Sequence, residues 1–197
     1  RWIKDNRQIL IQKNKAIFDA AKKEQEQSEK EYKEEQEQST KKESAKEIFF
    51  SSYICHPQMV NNELSGPSVL TGIANKLLSK SNYFSYRFIL VPETIGSIVY
   101  LSKNLTKLKK NVIGGYNITC VGDERSWGLV PSRYGNNISD LVAEHVLKHN
   151  VKKFDKYTWL DRGSDERQYC APGIDLPISS ITRTKYGNYP EYHTSLD

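Results

Sequence analysis

Long apolar runs are missing from this 197-residue chain, and their absence excludes one class of protein. Nothing in it approaches the ~20 consecutive apolar residues that a membrane-spanning helix needs. Cysteine is scarce as well. The three residues, Cys55, Cys120 and Cys170, form no Cys-x-x-Cys pair, which excludes a zinc ribbon or a redox dithiol. Each sits in an apolar stretch, so small buried thiols in a reducing compartment, and hence a cytoplasmic setting, are expected. Charge of one sign is also lacking: 29 basic residues stand against 24 acidic ones, a net charge of +5. The densest basic group, Lys103, Lys107, Lys109 and Lys110, reads as a solvated helix end rather than a nucleic-acid face. No G-x-S-x-G elbow, Walker loop or dinucleotide glycine pattern occurs. There is no signal-peptide pattern after Arg1-Trp2, and the chain reads as a fragment.

Hydrophobic residues are absent from one region in particular. Positions 22–46 contain no Val, Ile, Leu, Met or Phe, only a Glu/Lys/Gln/Ser-rich sequence that forms an exposed helix or a disordered connector. Before it, Trp2, Ile3, Ile9, Leu10, Ile11, Ile17 and Phe18 are spaced as in an amphipathic helix. We therefore expect a polar extension over 1–46 and a globular domain over 47–197. In the latter, strands are expected at Ile48–Ile54, Tyr86–Val91, Val112–Val121, Tyr157–Leu160 and Pro177–Thr182. Helices are expected at Gly66–Lys80, Gly96–Leu105 and Ile138–His149, the last with Leu141, Val142, His145, Val146 and His149 in or beside its apolar stripe. Gly114-Gly115, within a strand-like run, marks a bulge or a close backbone approach. This alternation predicts a layered α/β fold with a mostly parallel sheet, whose reactive residues lie beyond the strand C-termini.

Those loops carry chemistry-bearing residues. His56 follows the first strand and Glu63 precedes a helix, and imidazole with carboxylate is a donor set a catalytic zinc uses. A strand-end histidine is also an ordinary hydrogen-bonded residue, and Glu63 also suits a helix N-terminus. Glu93, after the second strand, is placed for a general base or for a helix N-terminal acid. His193 lies in a loop of little apolar context and suits a second imidazole ligand. Asp123 follows the third strand, and Arg133, Arg162 and Arg167 could clamp a carboxylate or phosphate. His145 and His149 lack the intervening acid of an HExxH motif and read as helix-face residues. Cys55 and His56, as neighbours on a strand, should point to opposite faces.

Taken together, Ser51-Ser52-Tyr53-Ile54-Cys55-His56-Pro57, Asn61-Asn62-Glu63-Leu64-Ser65-Gly66-Pro67, Pro92-Glu93-Thr94-Ile95-Gly96-Ser97, the Asp161–Cys170 stretch and the closing Lys185–Asp197 stretch resemble aminopeptidase-like domain proteins related to bacterial zinc aminopeptidases. The resemblance covers about residues 44–197 and implies a three-layer α/β/α zinc-exopeptidase fold. It implies metal ligation by His56, Glu63 and His193 and a general-base role for Glu93. Where the aminopeptidases carry a second Glu this chain has Thr94, and their third-strand Asp falls near Thr119, with Asp123 shortly after. One zinc ion rather than two is therefore expected, with Asp123 as a possible fourth ligand. Ser164-Asp165-Glu166 stand where relatives have Ser-Asp-His, and Asp165, Glu166, Arg167 and Tyr169 are expected with Arg133 to shape the pocket for a small peptide or amide substrate. The implied activity is that of a metal-dependent hydrolase. The alternatives are a protein that kept the fold and lost turnover, and a non-peptidase amide-processing enzyme.

Overall fold

The computed structural model describes residues 44–197 together with Lys23 and Gln27, both helical. The amphipathic helix expected near the N-terminus lies outside the described residues. The sheet and the candidate site belong to the compact unit Lys42–Asp197.

The first strand, β1 (Glu47–Tyr53), is β-branched and aromatic, and both its faces are covered. Phe49 and Phe50 point to opposite sides, as the two-residue period requires, and each nucleates a separate core. After a one-turn π-helix (Val60–Leu64) come helix α1 (Ser65–Leu78), strand β2 (Ser85–Val91), helix α2 (Ile95–Asn111) and strand β3 (Val112–Ile118). The remaining elements are β4 (Gly128–Val130), α3 (Ile138–Asn150), β5 (Asp155–Lys156), a 3₁₀ turn (Trp159–Asp161), the short helix α4 (Glu166–Tyr169) and β6 (Ile178–Thr182). The six strands run in the order β2-β1-β3-β6-β4-β5, all neighbours parallel except β4 and β6. Phe49, Ile89, Leu101, Leu108, Tyr169 and Ile178 pack on one face, and Phe50, Leu70 and Ile118 on the other. The arrangement is the expected three-layer α/β/α sandwich with a mixed, mostly parallel sheet. No helix among the described residues is long and apolar enough to cross a membrane.

Three departures from the sequence reading have physical causes. Strand β4 is only three residues long and β5 two, too short for a periodic signal, and Trp159–Asp161 is a 3₁₀ turn rather than strand. Helix α3 turns the opposite way from its apolar stripe: Leu141, Val142 and Val146 are exposed, while Ser139, Asp140, Ala143 and Leu147 are buried. Hydrogen bonding decides its orientation. Ser139 Oγ accepts the Gly115 N–H at 2.7 Å and donates to the Pro177 carbonyl at 2.7 Å. Asp140 accepts from the Ser132 N–H, the Ser132 hydroxyl and the Ser179 hydroxyl. Finally, Cys55 is exposed rather than buried.

Gly114 and Gly115 show why β3 carries no side chains there. The ladder to β1 slips one residue between Glu47 and Ile48. A Cβ on Gly115 would lie 2.2 Å from the Phe49 carbonyl oxygen, a backbone atom that cannot step aside. Gly115→Ala is expected to destabilise the protein by about 3 kcal/mol or more, the upper range of overpacking costs. Gly72→Ala on α1, where an added Cβ meets nothing within 4 Å, should stabilise by roughly 0.5–1 kcal/mol. Urea denaturation of the two variants checks both signs.

Candidate metal centre

The centre forms where β1 runs out. Ile54 N–H still reaches the Val91 carbonyl, but the next amide, that of Cys55, turns away and donates to Glu63 Oε2 at 2.8 Å. That turn places Cys55 and His56 on the same side, which the alternation of an ideal strand would forbid. His56 Nδ1 lies 2.5 Å from Glu63 Oε1, and Cys55 Sγ lies 3.4 Å from Nδ1 and 3.5 Å from Oε1. Glu63 is only 2% exposed. A cavity of about 270 Å³ opens beside the group, lined by Ile54, Cys55, His56, Pro57, Glu63 and Leu64.

Glu63 is held by the π turn, a device common at functional sites. Asn61 Oδ1 accepts the Gly122 N–H at 2.7 Å, and Ser65 Oγ accepts the Val121 N–H at 2.9 Å. The turn is thereby fastened to the exit of β3. A second fastening comes from Asp197, which sequence reasoning did not single out. Its carboxylate accepts from the Asn62 N–H, the Tyr189 hydroxyl and the His193 N–H. The available signal was an acid four residues beyond the candidate ligand His193, spaced to accept that residue's own amide. His193 adopts a left-handed backbone, φ +59°, and its ring lies 5.3 Å, centre to centre, from that of His56.

Glu93 is partly buried, and burial, reinforced by the carboxylates of Glu166 and Glu63, raises its pKa above the ordinary glutamate value, while His56 acts in the opposite direction. Thr94 comes next in a left-handed conformation, φ +62°, costly for a β-branched residue. Asp165 holds it there by accepting the Thr94 N–H and the Ser97 hydroxyl, each at 2.8 Å.

Several expected site residues take other places. Asp123 accepts the Arg125 N–H, the Thr184 N–H and the Thr184 hydroxyl, bonds that help hold its pKa below the usual range. These contacts tie it to the segment after β6, and the structure brings neither it nor His193 into the Cys55–His56–Glu63 group, although the His193 ring lies beside that of His56. Glu166 is fully buried and accepts from Gly163 N–H, Ser164 N–H, Asn117 Nδ2 and the Tyr186 hydroxyl, so it props the loop from within. Tyr169 is also fully buried, its hydroxyl 2.7 Å from Ser51 Oγ, and no substrate can reach it. Arg133 spends its guanidinium on Asp175 and Tyr134. Arg167 is exposed on α4, and Asp165 is a buried support rather than a pocket wall.

The donor chemistry fits zinc. A thiol, an imidazole and a carboxylate present ligand atoms within 4.8 Å of one another, beside a cavity.

The sequence profile of the family described as "Domain of unknown function (DUF4910)" matches residues 11–197. The chain belongs to the DUF4910 family. It is 43% identical over 155 residues to a Clostridium acetobutylicum protein named "Putative polysaccharide biosynthesis protein with aminopeptidase-like domain". That match covers 79% of this chain but 35% of the relative, so this DUF4910 chain spans about a third of the relative's length. Among solved structures it is similar to a "putative peptidase" from the same organism, with TM-score 0.75, 41% identity, and 80% and 37% of the two chains covered. An aminopeptidase from Aneurinibacillus sp. strain AM-1 superposes at TM-score 0.63 and 17% identity over 79% of this chain and 39% of that one. The LapA aminopeptidase of Legionella pneumophila superposes at TM-score 0.58 and 15% identity over 80% and 46%. The DUF4910 chain thus has the aminopeptidase fold.

Asp165 makes a pH prediction. Burial raises its carboxyl to about 6, so the folded state holds this proton more tightly than the unfolded chain does. The stability it contributes is fully present below the unfolded pKa and is lost as pH rises through the folded one. Asp165→Asn keeps an acceptor oxygen for Thr94 and Ser97. Between about pH 4 and pH 7 it is expected to gain stability relative to the unsubstituted protein, by up to roughly 3 kcal/mol. Urea melts across that range would show a flat difference if Asp165 did not titrate there.

Proposed function

We propose that the described domain is the metal-bearing part of an aminopeptidase-type hydrolase, with His56, Glu63 and His193 as ligands of one zinc ion and Glu93 as general base. The observation that carries this reading is the convergence of His56 and a buried Glu63, seven residues apart, on one point beyond the sheet. The aminopeptidase-like names of the Clostridium relative and of the two distant structures support it.

A zinc ion held there would polarise an amide carbonyl and bring the pKa of a bound water toward ~7. The protein's own residues do the rest. Glu93, its proton affinity raised by burial, takes the proton of the attacking water and returns it to the departing amine. Ile54, Pro57 and Leu64 line the cavity beside the ligands and exclude water from one side of the substrate, which suits an apolar side chain there. The His193 loop, pinned through Asp197 to the turn carrying Glu63, fixes the distance between the two halves of the site.

A second reading, ligand binding without turnover, is favoured by one observation. Thr94 stands where the related aminopeptidases have a second acid, and its strained backbone is fixed by Asp165 rather than free to coordinate.

Two measurements separate these readings. Elemental analysis should find close to one zinc per chain, lost in His56→Ala. Hydrolysis of a panel of aminoacyl amides should fall by about 10²-fold or more in Glu93→Gln, with zinc content unchanged. Full occupancy with no turnover on any substrate, and no response to Glu93→Gln, favours the binding protein. In the active protein, turnover should decline as pH falls through the raised pKa of Glu93, because only the carboxylate accepts a proton.

A further inference from the structure

One donor in the cluster is unused by the ligand set above. We propose that Cys55 contributes a thiolate ligand, making the site a mixed sulfur–nitrogen–oxygen centre selective for zinc-like ions over magnesium or manganese. This inference rests on the metal reading of His56 and Glu63 and adds to it a fourth protein ligand and a selectivity, a water then entering as a fifth ligand, a coordination number that catalytic zinc also takes.

The distances carry the argument. Zinc–sulfur bonds of about 2.3 Å and zinc–nitrogen or zinc–oxygen bonds of about 2.0–2.1 Å, set at tetrahedral angles, separate sulfur from a neighbouring nitrogen or oxygen by ~3.5 Å. Cys55 Sγ already stands 3.4 Å from His56 Nδ1 and 3.5 Å from Glu63 Oε1. Two edges of the coordination tetrahedron are therefore in place. The third, Nδ1 to Oε1 at 2.5 Å, is at present hydrogen-bonding distance and has to open by about 1 Å when an ion replaces the shared proton. His56 supplies that movement, since its side chain is 39% exposed and the cavity lies alongside, while buried Glu63 stays in place.

The backbone shows that this approach is built in. The Cys55 amide is committed to Glu63 Oε2, which fixes the start of its side chain over the same carboxylate that its sulfur faces. The other two cysteines behave differently. Cys170 is buried and its thiol donates to the Leu176 and Ile178 carbonyls, while Cys120 is enclosed by Tyr53, Asn62 and Tyr189. Packing explains those thiols. It does not explain Cys55, which is exposed at the mouth of the cluster.

Ligation releases the thiol proton to solvent and forms one sulfur–metal bond, with no change of oxidation state. A thiolate draws zinc and cobalt, whereas magnesium and manganese prefer carboxylate and water oxygens.

Cobalt(II) reads out the sulfur directly. The full chain, stripped by chelator and titrated with cobalt(II), is expected to show the visible bands of a tetrahedral ion together with a near-ultraviolet sulfur-to-cobalt charge-transfer band. Cys55→Ser should lose the charge-transfer band, keep visible bands, and bind zinc at least about tenfold more weakly. Cys170→Ser should retain both features, and excess magnesium should not displace the cobalt. Visible bands without the charge-transfer band, or a band that survives in Cys55→Ser, would overturn the sulfur ligand and leave the His56–Glu63 site intact. Failure to take up cobalt or zinc at all would overturn this inference and the metal reading together.

Discussion

Everything at the C-terminal end of the sheet is organised around one buried carboxylate. Glu63 is 2% exposed, and a polar group so far from water is costly unless hydrogen bonds satisfy it. Its two oxygens are accordingly fully used: Oε2 takes the Cys55 amide, and Oε1 faces the His56 ring and the Cys55 thiol. The π turn that brings Glu63 inward is fastened on one side to β3 and on the other to Asp197. The requirement to satisfy this one group dictates where β1 stops, how the next chain segment bends, and why the His193 loop is tied down as it is.

The unfavourable backbone conformations cluster around the same place. Three of the four non-glycine residues at positive φ among the described residues are Thr94, Cys120 and His193, which lie just after β2, just after β3 and in the closing loop. Each is held by a specific bond: Thr94 by Asp165, the Cys120 carbonyl by the Arg183 amide, and His193 by Asp197. Strain of this kind persists only where neighbouring contacts over-determine it. Asp165, Glu166 and Tyr169 belong to that supporting layer. The part of the chain expected to touch substrate instead spends its polar groups on keeping the reactive loops in shape.

The sequence made the sheet legible because β1, β2, β3 and β6 are β-branched or aromatic runs, and their C-terminal loops could be examined for chemistry on topological grounds. His56 and Glu63 were readable from that placement. What was hidden depended on backbone detail. Strand alternation separates Cys55 from His56, a rule that fails two residues after β1 ends. The apolar stripe of α3 does not predict its buried face, because Ser139 and Asp140 make bonds that outweigh the burial of Leu141, Val142 and Val146. Glu166 looked like a pocket residue because an acid in a loop is ordinarily solvated, and its four donors come from three separate segments.

The spacing of the proposed ligands along the polypeptide governs the order in which the proposed centre would assemble. Cys55, His56 and Glu63 lie within nine consecutive positions and need only the end of β1 and the adjoining turn. His193 approaches His56 only once β6, far along the chain, has added to β3. Such a distant closure is slow relative to local turn formation. On the proposed ligand set, a cation would be captured first at the local three-donor half-site, and the late arrival of the second imidazole would then lock it in.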